Sequence, residues 1–173
     1  MGYFYNRFSN DALNKAYELL EDTTPLKGDC GELCGCKCCR GGDADGMLLF
    51  PGEEEYYMSK DGFKITKDGV TGYSAVVCEG RCNRTDRPLS CRIFPLFPYA
   101  VEENGRVTCG PSPDTRAFHF CPLLEEKYEP CGEFKRKMRI LSKVLVRDEE
   151  IRTFLIDVSK IITDFGVFSE TQE

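Results

Sequence analysis

The stretch CGELCGCKCCR, residues 30–40, puts five cysteines (Cys30, Cys34, Cys36, Cys38 and Cys39) into ten residues. On either side of it, "TTPLKGD" and "GGDADG" supply Pro, Gly and Asp rather than a hydrophobic period. Backbone ladders alone are therefore not expected to fix its conformation, and a bound ion would supply that constraint. Six further cysteines follow at Cys78, Cys82, Cys91, Cys109, Cys121 and Cys131, bringing the count to eleven. An odd number cannot pair completely, and clustered spacing in a reducing compartment points to metal rather than to a disulfide framework.

Spacing within the set carries the same expectation. Cys30 with Cys34, and Cys78 with Cys82, are each separated by three residues and have Gly31 or Gly80 beside or between them. Such a pair, on a helical turn or bracketing a tight loop, can aim two sulfurs at one ion. Structural sites use four ligands, so eight of the eleven cysteines would serve two sites. The adjacent Cys38 and Cys39 would point to opposite sides of an extended backbone and so serve different ions. The candidate ligands are Cys30, Cys34, Cys38, Cys39, Cys78, Cys82, Cys91, Cys109 and Cys121, while Cys36, Cys131 and the single histidine, His119, have no assigned place. Thiolates are soft ligands and select zinc, iron–sulfur clusters or Cu(I) over magnesium or calcium. Zinc is the expected metal, with iron or an iron–sulfur cluster as the alternative. The cysteine spacing of radical-SAM enzymes is absent, because Lys37 or Gly41 stands where the third cysteine would fall.

Outward from the cluster, the chain reads as α+β. Leu13, Ala16, Tyr17 and Leu20 recur at helical spacing over Ser9 to Asp22, with Ser9 or Asn10 as cap. Pro51 begins a second helix whose first turn, Glu53, Glu54 and Glu55, suits the helix dipole. Phe63 to Thr66 and Tyr73 to Cys78 read as strands, and Asn104-Gly105 turns a hairpin between Tyr99 to Val101 and Val107 to Cys109. Phe134, Met138, Leu141 and Leu145 form one apolar stripe; Asp148 caps a second made of Ile151, Phe154, Leu155, Val158, Ile161, Ile162 and Phe165. Lys135, Arg136, Lys137, Arg139, Lys143 and Arg147 are expected on the solvated face of the first of these helices. The whole is expected to be a single domain over residues 1–173: a cysteine-rich region at 30–131, short β-hairpins, one N-terminal helix and a C-terminal helical pair at 132–168.

Composition excludes several functions. A net charge of −6 and pI near 5 argue against a phosphate-tracking surface, so no nucleic-acid partner is expected. No segment reaches about 18 consecutive apolar residues, and the N-terminus lacks a basic start with an apolar run, so a cytoplasmic protein with no membrane partner is expected. There is no phosphate loop and no Gly-x-Ser-x-Gly elbow, and one histidine leaves little room for Cys-His catalysis.

The segment CEGRCNRTDRPLSCRIFPLFPY, residues 78–99, contains Arg87-Pro88, then Cys91-Arg92, then Phe94-Pro95. This order resembles the signature of the YkgJ-type zinc- or iron-chelating (CxxCxxCC) family. So do an upstream cluster ending in a doublet followed by Arg, matched by Cys38, Cys39 and Arg40, and two cysteines before the Arg-Pro, matched by Cys78 and Cys82. The resemblance covers roughly residues 30–98; the chain departs from the family in having three residues between its first two cysteines and in the inserted Cys36. It implies a metal-chelating domain, and one branch is similar to flagellin lysine methylases, an iron–sulfur group-transfer activity on a protein substrate. A metal carrier or sensor is a third alternative. Read from the residues themselves, Pro88 fixes the chain before Cys91, and Arg87 or Arg92 would either donate N–H bonds toward thiolates or lie in solvent.

Overall fold

The computed structural model describes residues 7–28, 30–39, 46–80, 82–118, 121–124 and 129–170, with side chains given to residue 164. The expectations attached to Arg40, His119 and the Phe165 side chain lie outside these.

Helix α1 (Asp11–Leu19) starts at Asn10, whose side-chain oxygen accepts the Ala12 and Leu13 amides at 2.9 and 3.1 Å. Its apolar stripe packs on α5 (Gly132–Leu145), where Phe134, Met138, Leu141 and Leu145 are all buried. Asp148 then caps α6 (Glu149–Glu170), accepting the Ile151 amide at 2.9 Å. Along α6, Ile151, Phe154, Leu155, Val158 and Ile162 are buried and Ile161 is half-buried, because the apolar stripe is one side of the helix only.

Two small antiparallel sheets accompany these helices. In the first, β3 (Ser74–Cys78) is central, flanked by β1 (Met47–Leu48) and β2 (Phe63–Lys67), with Phe63 opposite Cys78. The second is the hairpin of β4 (Leu96–Glu103) and β5 (Arg106–Pro113). Its turn needs positive φ at both central residues, which Asn104 (51°) and Gly105 (72°) adopt. Helices α5 and α6 both pack on this hairpin, and one hydrophobic core runs from Phe8 through the hairpin to Ile162. Each fully buried Leu or Phe in it contributes about 1.5–3 kcal/mol. The fold is mixed helix and sheet, as the periodicity predicts.

Three short helices complete the α elements: α2 (Cys30–Cys34), α3 (Glu54–Met58) and α4 (Leu89–Ile93). None of the described helices is long and apolar enough to cross a membrane.

Candidate metal centre

Helix α2 holds Cys30 and Cys34 one turn apart. It ends where Gly35 and Cys36 take left-handed φ values of 61° and 56°, and the Cys36 amide closes the end by donating to the Gly31 carbonyl at 2.9 Å. The Cys39 amide donates back to the Cys36 carbonyl at 2.8 Å, forming a 3₁₀ turn over Lys37–Cys39. The segment is thus two linked turns rather than an extended run. Alternation of side chains does not apply in a 3₁₀ turn, and the Cys38 and Cys39 sulfurs lie 3.9 Å apart. Two ligands about 2.3 Å from one tetrahedral zinc stand about 3.8 Å apart, so the doublet has the edge length of a single coordination tetrahedron.

The loop bearing Cys78 and Cys82 docks against this turn. Gly80 has φ 82°, and a Cβ there would lie 2.7 Å from the Cys39 carbonyl oxygen. Only glycine lets the two backbones approach so closely. Cys91 arrives from α4, and a cavity beside α2 and the 3₁₀ turn is lined by Cys30, Cys34, Cys36, Cys38, Cys39, Cys91 and Cys121, with Arg87 and Phe94 in its wall. Its volume is about 50 Å³. Organic cofactors take about 300–1,000 Å³, so this space suits bare ions.

The thiols raise one another's pKa values. Its hydrogen bond with Cys39, then burial, then the charges of Cys39, Cys30 and Cys91 push the Cys38 thiol far up. Burial, followed by Cys39, Cys82 and Cys78, does the same to Cys91. Cys82 is raised by burial and Cys78, against the opposing pull of Arg87, whose side chain hydrogen-bonds it. A coordinated divalent cation reverses this, since it deprotonates a thiol outright. The donor set, soft sulfur with one guanidinium beside it, fits zinc, iron or an iron–sulfur cluster. Among the described residues, however, no three Cys, His, Asp or Glu side chains already converge closely enough to hold an ion. The Cys34 thiol, for example, is turned toward the Cys30 carbonyl at 3.8 Å.

Of the candidate ligands, Cys78, Cys82 and Cys109 are not among the residues that line the cavity. On β5 the Cys109 sulfur faces the Pro98 carbonyl at 3.7 Å and Ser142, and burial pushes the thiol up to about 11. Cys131 precedes α5 with its sulfur 3.6 Å from the Thr24 carbonyl, also away from the cavity. Cys36, which the spacing leaves unassigned, lines the cavity.

Arg92 neither lies in solvent nor reaches the thiols. It is buried, its guanidinium sits 4.6 Å from the Tyr17 ring centroid, and it donates to the Arg87, Arg84 and Thr85 carbonyls at 2.9, 2.8 and 3.0 Å. It thereby holds the turn that delivers Arg87. Glu53 is the residue that sequence reasoning passes over. Its carboxylate is fully buried and accepts the Phe50 amide at 2.7 Å, the Leu89 amide at 3.0 Å and the Tyr17 hydroxyl. Burial raises its pKa to about 7 against these three hydrogen bonds, which lower it. The Leu89 amide opens α4, so Glu53 orients the turn that carries Cys91. The only sequence signal was a Glu directly after a Pro-Gly turn, which the helix dipole already accounts for.

Searched against family models, curated proteins and solved structures, the chain finds no match.

Proposed function

We propose that this chain is a metal-binding protein that chelates one or two zinc or iron ions, or an iron–sulfur cluster, through the thiolates around the α2 cavity. Zinc is the foremost candidate. The observation that carries the reading is that seven cysteines, drawn from three separated segments, line one cavity of about 50 Å³. Thiolates gathered around a cation are each stabilised by it. The motif order Arg87-Pro88, Cys91-Arg92, Phe94-Pro95 adds the resemblance to the CxxCxxCC chelating family. In this reading Arg87 offsets part of the thiolate charge, Arg92 and Glu53 position ligand-bearing turns, and a bound ion supplies the cross-link between α2, the Lys37–Cys39 turn and α4.

The test is elemental analysis with an absorption spectrum on anaerobically purified, chelator-free protein. Stoichiometric zinc in a colourless sample, or iron with visible sulfur-to-iron bands, supports it. Absence of stoichiometric zinc, iron and copper sinks it.

A further inference from the structure

The left-handed bend at Cys36 leads into the 3₁₀ turn of Lys37–Cys39, which brings the Cys38 and Cys39 sulfurs to 3.9 Å, within hydrogen-bond reach of one another. Other thiols face the backbone instead: Cys34 points to the Cys30 carbonyl, Cys109 to that of Pro98 and Cys131 to that of Thr24. Both doublet residues are half-buried and line the cavity, so a small solute reaches them. An adjacent pair also differs from other cysteine pairs covalently. Its Cα atoms are held about 3.8 Å apart by the trans peptide, short of the roughly 4.4–6.8 Å of ordinary disulfides. A bond between the two sulfurs therefore closes a strained ring and is easier to reduce, which suits reversible chemistry better than a permanent staple. Reaching the S–S bond length takes about 2 Å of approach, a movement that χ1 rotation at both residues supplies.

We propose that Cys38 and Cys39 are an oxidative modification site: a vicinal dithiol that a hydroperoxide closes to a disulfide and a small thiol such as glutathione reopens. In the first step one sulfur of the doublet, as thiolate, attacks an oxygen of the hydroperoxide. The O–O bond breaks, the alcohol leaves (water, from hydrogen peroxide), and the sulfur becomes a sulfenic acid. The neighbouring thiol then attacks that sulfur; the S–O bond breaks and water leaves with the thiol proton. Two thiols have then lost two electrons and the peroxide has gained them. The partner sulfur is already beside the sulfenic acid, so ring closure outpaces further oxidation. Two equivalents of glutathione reverse the bond through a mixed disulfide and are themselves oxidised to glutathione disulfide. The consequence for metal rests on the metal-binding reading: a disulfide offers no thiolate, so closure takes two donors from the cavity and releases the ion they hold.

The experiment adds one equivalent of hydrogen peroxide to the reduced, metal-free full chain, alkylates the remaining thiols and digests with trypsin. Cleavage after Lys37 and Arg40 isolates the tripeptide Cys38-Cys39-Arg40. The expected result is that this tripeptide carries most of the thiol loss, takes no alkyl group and is two hydrogens lighter than its reduced form. Glutathione added before alkylation should restore both alkyl groups. A doubly alkylated tripeptide with the loss elsewhere, either cysteine joined to another peptide, or sulfinic acid at the doublet overturns the proposal. In urea the preference for the tripeptide should fall at least by half; equal preference there would show adjacency alone at work and overturn the role given to the folded turn. On zinc-loaded protein, closure should release zinc to a colorimetric chelator, and a closed doublet with zinc fully retained overturns the link to metal. The disulfide is read without metal, so its absence leaves the metal-binding reading standing, while a chain that closes the doublet but binds no metal removes that reading alone.

Discussion

The Glu53 carboxylate accepts the Leu89 amide at 3.0 Å and the Tyr17 hydroxyl in a buried pocket, tying the first turn of α4 to helix α1. Cys91 is two residues beyond Leu89. The orientation of one cavity cysteine therefore depends on a carboxylate that acts through the Leu89 amide. Glu53→Ala removes the acceptor from two buried amides and a hydroxyl, and is expected to cost about 3–5 kcal/mol in urea unfolding. Glu53→Gln, which keeps the shape, is expected to cost less than half of that.

A pH signature accompanies Glu53. Its folded pKa is about 7 against an ordinary value of 4.5, so between those values the folded chain holds a proton that the unfolded chain has lost. Its contribution to stability is greatest below pH 4.5, declines as pH rises and is flat above about 7. Comparing wild type with Glu53→Gln at equal metal loading isolates this term: the wild-type advantage should shrink by a few kcal/mol between pH 5 and pH 7.5. An advantage that grew over that interval would contradict the assignment.

Arg92 and Lys would not be interchangeable. Three carbonyl bonds and the stack on Tyr17 use the planar guanidinium, which an ammonium cannot reproduce. Arg92→Lys is expected to destabilise by about 2–4 kcal/mol and to raise amide exchange across residues 84–87, as read by hydrogen exchange.

Gly80 and Gly62 offer a controlled comparison. Their φ values are 82° and 79°, but a Cβ at Gly62 meets nothing within 4 Å, whereas one at Gly80 strikes the Cys39 carbonyl. Both Ala variants pay the left-handed backbone penalty, on the order of 1–2 kcal/mol. Gly80→Ala should lose a further 1–3 kcal/mol or so in thermal unfolding and should weaken zinc retention against a chelator. Equal losses at the two positions would show that the loop does not press on the doublet.

Metal loading should stabilise the fold, by about 4 kcal/mol at a free zinc level 1,000 times the dissociation constant. Cys91→Ser should abolish this gain. Cys109→Ser should retain it, because the Cys109 sulfur faces Pro98 and Ser142 rather than the cavity. The readout is the shift in melting temperature between zinc-loaded and chelator-treated samples.

Local signals were legible because they are written in neighbouring residues. Asn10 and Asp148 cap helices through amides two or three positions away, the stripes of α5 and α6 repeat at the helical period, and Asn104-Gly105 suits the positive φ its turn demands. The i, i+4 spacing of Cys30 and Cys34 likewise appears as one turn of α2. The doublet departs from its expected alternation at the same local level, because Cys36 turns the chain into a 3₁₀ bend where the expectation rests on an extended backbone.

What the sequence by itself determined is the two C-terminal helices, the N-terminal helix, the 99–109 hairpin, the caps and the density of sulfur, each a property of short windows and of composition. Tertiary structure alone decided which thiols meet, and it did so across separations no window spans. Cys39 finds Gly80 through a backbone approach, while Cys109 and Cys131 are drawn toward core-side carbonyls and away from the cavity. Glu53 is buried only because Tyr17, 36 positions earlier, and Leu89, 36 positions later, enclose it. Periodicity reports the face a residue presents; the neighbour it meets there depends on how distant segments close over one another, and that closure fixed the candidate centre.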